Sequence, residues 1–146
     1  VEYQYFLRFA KDYAHLKPYR TEWIVFYEEM RLAGSIDMVF EDDQGDLWIY
    51  DWKRTQELNP ESFGNKTSTT PCIGHLPDSK FWHYTLQLNI YRGILERKYG
   101  KKIKGLCLVR LHPDNIYNTY DRIVVPFLDA EIEDLFKYRE ACLELK

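Results

Sequence analysis

The chain has 146 residues and a mass of 17.7 kDa, enough for one ordinary domain with a real core and too few for two independent ones. Hydrophobic residues at 45%, charged residues at 29%, and only seven Gly and six Pro exclude a disordered, collagen-like or low-complexity chain. No apolar run approaches the ~20 residues that cross a bilayer, and Val1 to Ala10 lack the basic-then-apolar order of a leader, although a targeting segment upstream is left open.

In chain order, Tyr3 to His15 carries Tyr3, Phe6, Leu7, Ala10 and Ala14 at helical spacing, and the helix is expected to stop before Pro18. Thr21 to Glu28, Ser35 to Phe40 and Leu47 to Lys53 are rich in aromatic and β-branched residues and read as three consecutive strands, with Gly34 and Asp42 to Asp46 as turns. Arg54 to Ser79 is polar, broken by Gly and Pro, and reads as a long loop of the kind that tends to be functional. Lys80 to Tyr99, with Phe81, Tyr84, Leu88, Tyr91 and Leu95 on one side and Gly100 as a stop, is a helix. Ile103 to Leu111 and Asp121 to Val125 read as strands, and Asp129 to Leu145 as an acidic amphipathic helix, giving the order α-β-β-β-α-β-β-α without repeat or linker.

Cys72, Cys107 and Cys142 are odd in number, far apart and without a CxxC pair. They argue against a disulfide scaffold, a zinc knuckle or an iron–sulfur cluster, and for reduced thiols in an intracellular setting. The net charge of -3 hides an asymmetry. Glu22 to Asp51 holds nine acids against Arg31, net -8, and could hold cations; Lys80 to Arg110 holds eight bases against Glu96, net +7, and could hold phosphates or simply end a helix.

The chemistry concentrates at YDWK. Residues two apart in a strand share a face, so Asp51 and Lys53 project together while Trp52 points the other way. If the flanking strands form a hairpin turning at Gln44–Gly45, facing positions sum to about 88, which sets Asp37 opposite Asp51. Two carboxylates so close repel unless one takes a proton or a cation lies between them. Oxygen ligands of this kind suit Mg²⁺ or Mn²⁺, which activate water and neutralise charge on a phosphodiester, with Lys53 placed to assist the water or the phosphate. As a bare pair Asp-x-Lys is more often a surface ion pair, and Gln87 and Tyr91 at i and i+4 on a helix are as readily core; the combination is what carries information.

GSIDMVF, then IYDWK, then QLNIY on the following helix resemble the Asp, (D/E)xK and QxxxY motifs of the PD-(D/E)XK nuclease superfamily, and especially its RecB-like exonuclease branch. The resemblance covers most of the chain and implies an α/β fold with a restriction-endonuclease-like core: a central mixed sheet with a three-strand meander flanked by helices. It implies Asp37 and Asp51 as metal-binding carboxylates, Lys53 as catalytic lysine, the Trp52 backbone carbonyl as a further metal ligand, and Glu22 as the upstream acid, a role for which Glu28 and Glu29 compete. Gln87 and Tyr91 would line the site and touch the nucleic acid. The first acid lies in IDM rather than a Pro-Asp pair, and the N-terminal histidine of many RecB-like members has His15 as its candidate.

The function expected is therefore a Mg²⁺- or Mn²⁺-dependent deoxyribonuclease, exonuclease-like, preferring single strands or ends, with residues 1–146 as one nuclease-like domain that could be a piece of a longer chain. Lys80 and Arg92 are expected to contact nucleic acid, Trp82 and Tyr84 could stack on bases or pack in the core, and Ser62 to Ser79 could clamp a strand. Helicase or polymerase domains are the expected partners, and no membrane. A catalytically silent nucleic-acid-binding or scaffold module of the same fold, and an RNA endonuclease, are the competing readings.

Overall fold

The computed structural model describes residues 1–55, 58 and 79–145. Within them the elements are helix α1 (Glu2–Asp12), strands β1 (Lys17–Tyr27), β2 (Leu32–Glu41) and β3 (Leu47–Lys53), helix α2 (Lys80–Lys98), strands β4 (Ile103–Arg110) and β5 (Asp121–Val125), and helix α3 (Asp129–Glu144). The expected α-β-β-β-α-β-β-α order is what the chain adopts. No helix among the described residues is long and apolar enough to cross a membrane.

One mixed sheet runs β1-β2-β3-β4-β5. The first three strands form an antiparallel meander, β3 and β4 pair in parallel, and β5 returns antiparallel on β4. The parallel step follows from α2, because only a crossover can bring the chain back to run beside β3 in the same direction. The β2–β3 turn is set by Asp42, whose Oδ1 accepts the amides of Gln44 and Asp46, both at 2.9 Å, while Oδ2 accepts Trp48 Nε1 at 3.0 Å. Those donors, the Asp46 amide first, hold its carboxyl below the usual range.

Alternation along β3 builds two cores. Leu47 and Ile49 face α2 and join Val39, Leu88, Leu95, Leu106 and Leu108, while Tyr50 and Trp52 face α1 and pack with Phe9, Phe40 and Cys107. The helix α2 is buried on two sides, since Leu88 and Leu95 meet the sheet while Gly93 lets Phe136 and Ile132 of α3 approach closely. Cys107 and Cys142 are free thiols; Cys72 lies outside the described residues.

Three expectations are corrected. β1 begins at Lys17 rather than Thr21 and contains Pro18, which an edge strand tolerates because its missing amide faces no partner. Gly34 lies inside β2 and makes no turn; the reversal is a 3₁₀ turn at Glu28–Met30 closed by Arg31 in the left-handed region, φ 51°. The basic block of residues 80–110 is not a continuous positive surface either. Arg92 pairs with Asp129 and Glu96, Arg97 with Glu133, Lys98 with Glu29, Lys104 with Asp46 and Arg110 with Asp121, because the topology brings acidic segments against it.

Candidate active site

The β2–β3 ladder runs from Glu41↔Leu47 to Met38↔Tyr50, the register expected from the sequence, and stops there. One step beyond, the Trp52 amide donates not to a backbone carbonyl but to Asp37 Oδ2 at 3.1 Å. The amide and carbonyl of an extended residue leave the same edge of a strand, so the Trp52 carbonyl also points toward this gap. The Asp37 carboxyl stands close enough to act on that of Asp51, and Lys53 Nζ lies 2.8 Å from Asp51 Oδ2. Asp37, Asp51 and Lys53 are thus brought together, with Trp52 turned to the opposite face against Phe6 and Phe9.

Asp51 is 6% exposed. Burial, and then the neighbouring Asp37 carboxyl, push its pKa up to about 7 against the opposing pull of Lys53. Although the ammonium is an ionic neighbour, Asp51 Oδ2 receives no well-directed hydrogen bond among the described residues. A buried carboxylate oxygen with spare lone pairs, beside a second carboxyl it repels when ionised, is a donor set that a hard divalent cation fits. Among the described residues no cluster of three or more His, Cys, Asp or Glu could hold a metal, so the ligands on offer are the two aspartates and the Trp52 carbonyl.

Glu22 does not join them. Register places it opposite Asp37, between Thr21↔Met38 and Trp23↔Ile36, but the ladder skips that pair. Its backbone is left-handed, φ 46°, a conformation that breaks the pleat, and its side chain is left exposed. His15 stands past the end of α1 against the ring of Tyr13, and Glu29 is taken by Lys98.

The α2 residues divide. Tyr91 lies against Gly34 so closely that a Cβ there would stand 2.4 Å from its Cε1, and burial, then Asp51, raise its hydroxyl pKa. Gln87 is half-buried, four residues before Tyr91 on the same helical stripe. Lys80, at the helix start, reaches Thr55 Oγ1 at 3.5 Å. Arg92 is not brought to the site: one residue past Tyr91 it points about 100° around the helix, where it stacks on Phe127 at 3.7 Å and pairs with Asp129. Trp82 packs edge-on against Phe81, at 5.2 Å, and against Leu128. The expected clamp, Ser62 to Ser79 with Lys66, lies outside the described residues except for Ser79, which caps α2 by accepting the Trp82 amide.

Two features escaped sequence reasoning. Gly34 serves as the slot for Tyr91, and the Tyr84 ring lies under the Lys53 ammonium, 4.2 Å from its centroid, so that ring face is not open to a base. The available signal was spacing, since Tyr84, Gln87 and Tyr91 at i, i+3 and i+7 form one stripe.

A family model described as the PD-(D/E)XK nuclease superfamily matches residues 2–146. No curated protein sequence matches. Among solved structures, a presumed exonuclease from Eubacterium rectale is similar over 97% of this chain and 49% of its own, at 17% identity and a TM-score of 0.56. A second structure, SSO0001, aligns over 90% of this chain and 48% of its own, at 18% identity and a TM-score of 0.42. The chain therefore spans about half the length of the structures it matches. With the mixed sheet, the helical crossover and the Asp37–Asp51–Lys53 cluster in place, this chain belongs to the PD-(D/E)XK nuclease superfamily.

Proposed function

We propose that this chain is the nuclease domain of a longer polypeptide and hydrolyses phosphodiester bonds of DNA in the presence of Mg²⁺ or Mn²⁺, acting at ends or on single strands in the manner of the RecB-like branch. The observation that carries the reading is the meeting of the Asp37 and Asp51 carboxyls in a buried gap with the Lys53 ammonium 2.8 Å away. A structural ion pair would need no second carboxyl, whose repulsion only a proton or a cation relieves.

Asp37, Asp51 and the Trp52 carbonyl would hold the divalent ion, which when bound supplies Lewis acidity toward water and the phosphodiester. Asp51 must release its proton to act as a ligand, so the competent form builds up as pH rises through about 7. Lys53 is placed to donate hydrogen bonds to a phosphoryl oxygen or to fix the attacking water, stabilising negative charge as it grows. Tyr91 reaches the same region from α2, Gln87 lies on its helical stripe, and the two would hold the strand being cut. Helicase or polymerase domains, of the same or another polypeptide, are the partners proposed for it.

A time course on end-labelled single- and double-stranded DNA and RNA, with Mn²⁺ and with chelator, tests this. Short products released from DNA ends only with the metal are expected. Binding without cleavage by the wild type would establish the silent module instead, and faster cleavage of RNA would reassign the substrate.

A further inference from the structure

The geometry points to Tyr84 as the positioning residue of Lys53, an inference that rests on Lys53 taking part in cleavage. Among the described residues the ammonium is held by Asp51 Oδ2 at 2.8 Å and by the face of the Tyr84 ring, 4.2 Å from its centroid. A lysine side chain is long and freely rotating, and contact with one oxygen leaves it able to swivel. Asp51 Oδ2 is also the oxygen without a directed hydrogen bond, which a divalent cation would claim. With that oxygen shared with a cation, the ring would remain a second contact on the ammonium among the described residues.

A neutral ring suits that task better than an acid. Its negative face attracts the cation without binding metal or repelling phosphate, and it leaves the N–H donors free to turn toward substrate. The ring itself is fixed, because Tyr84 is half-buried against the core and sits on the rigid helix that also carries Gln87 and Tyr91. Tyr84 thereby links the helix that faces the strand to the lysine that serves the reaction.

Two substitutions and two readouts test the assignment. With Mn²⁺ and a labelled single-stranded oligonucleotide, Tyr84→Leu is expected to lower kcat about tenfold with KM little changed, and Tyr84→Phe, which keeps the ring, to restore kcat to within about threefold. In protein labelled with ¹³C-lysine, the Lys53 ε-methylene signal, identified by its loss in Lys53→Arg, should be shifted upfield by the ring in wild type and Tyr84→Phe and move back in Tyr84→Leu. Wild-type-like kcat in Tyr84→Leu overturns the inference, as does a Lys53 signal with no upfield shift in the wild type, a measurement that needs no variant to fold. If the wild type cleaves nothing, the nuclease reading fails on its own; the Lys53 signal still decides, and its persistence in Tyr84→Leu overturns the contact.

Discussion

The two faces of β3 carry opposite chemistry on one short strand. Toward α1 it presents Trp48, Tyr50 and Trp52, which nest with Phe9 and Phe40 at centroid separations of 5.0 to 6.3 Å for the pairs Phe9–Tyr50, Phe9–Trp52, Phe40–Tyr50 and Phe40–Trp52. Toward α2 it presents Leu47 and Ile49 and then Asp51 and Lys53, so apolar packing gives way to charge within two residues. The contrast teaches that the charged groups do not hold themselves in place. Like-charged carboxyls in a buried gap cost free energy, and a densely packed aromatic layer directly behind them supplies the rigidity that keeps the strand from relaxing.

If that division is right, lesions on the two faces should separate chemistry from stability. Asp51→Ala or Lys53→Ala should lower cleavage by at least about a hundredfold while circular dichroism shows the fold intact; unchanged metal-dependent cleavage by both variants would refute their roles. Phe9→Ala on the other face, where the side chain is 2% exposed, should cost about 3–5 kcal/mol in denaturant unfolding, with cleavage largely kept at temperatures where the protein stays folded.

A smaller effect should appear with pH. The folded protein keeps the Asp51 proton to about pH 7, whereas an ordinary carboxyl releases it near 3.8. The bound proton therefore favours folding at low pH, and that contribution is lost as pH rises from about 4 through about 7, by on the order of a few kcal/mol. Melting curves of the metal-free wild type and Asp51→Asn, compared across that window, should show the extra downward slope in the wild type alone, and added Mn²⁺ should flatten it. Parallel curves would mean that the carboxyl is already ionised in the fold.

Much of this site was legible because its determinants are local. Strict alternation in Leu47 to Lys53 and the Asp42-to-Asp46 turn fix strand, register and face together, so Asp37 and Asp51 could be paired from spacing. What was not legible depends on distant contacts. Gly34 reads as a turn residue until Tyr91, from another element, is seen to fill the space its side chain would occupy. The positive block of residues 80–110 looks like a phosphate surface until the fold sets Glu29, Asp46 and Glu133 against it. Likewise the left-handed Glu22 and the register shift between Pro18 and Arg20 have no marker in composition.

The buried amide of Asn89 ties the site to the C-terminal helix. Its Nδ2 donates to the carbonyls of Thr85 and Pro126, at 2.9 and 3.0 Å, and its Oδ1 accepts the amide of Leu128 at 2.8 Å. One side chain thus sews a turn of α2 to the segment that leaves β5 and starts α3. Sliding α2 alone would strand those groups without water, so any adjustment of the helix bearing Gln87 and Tyr91 must drag the last helix with it as a single block.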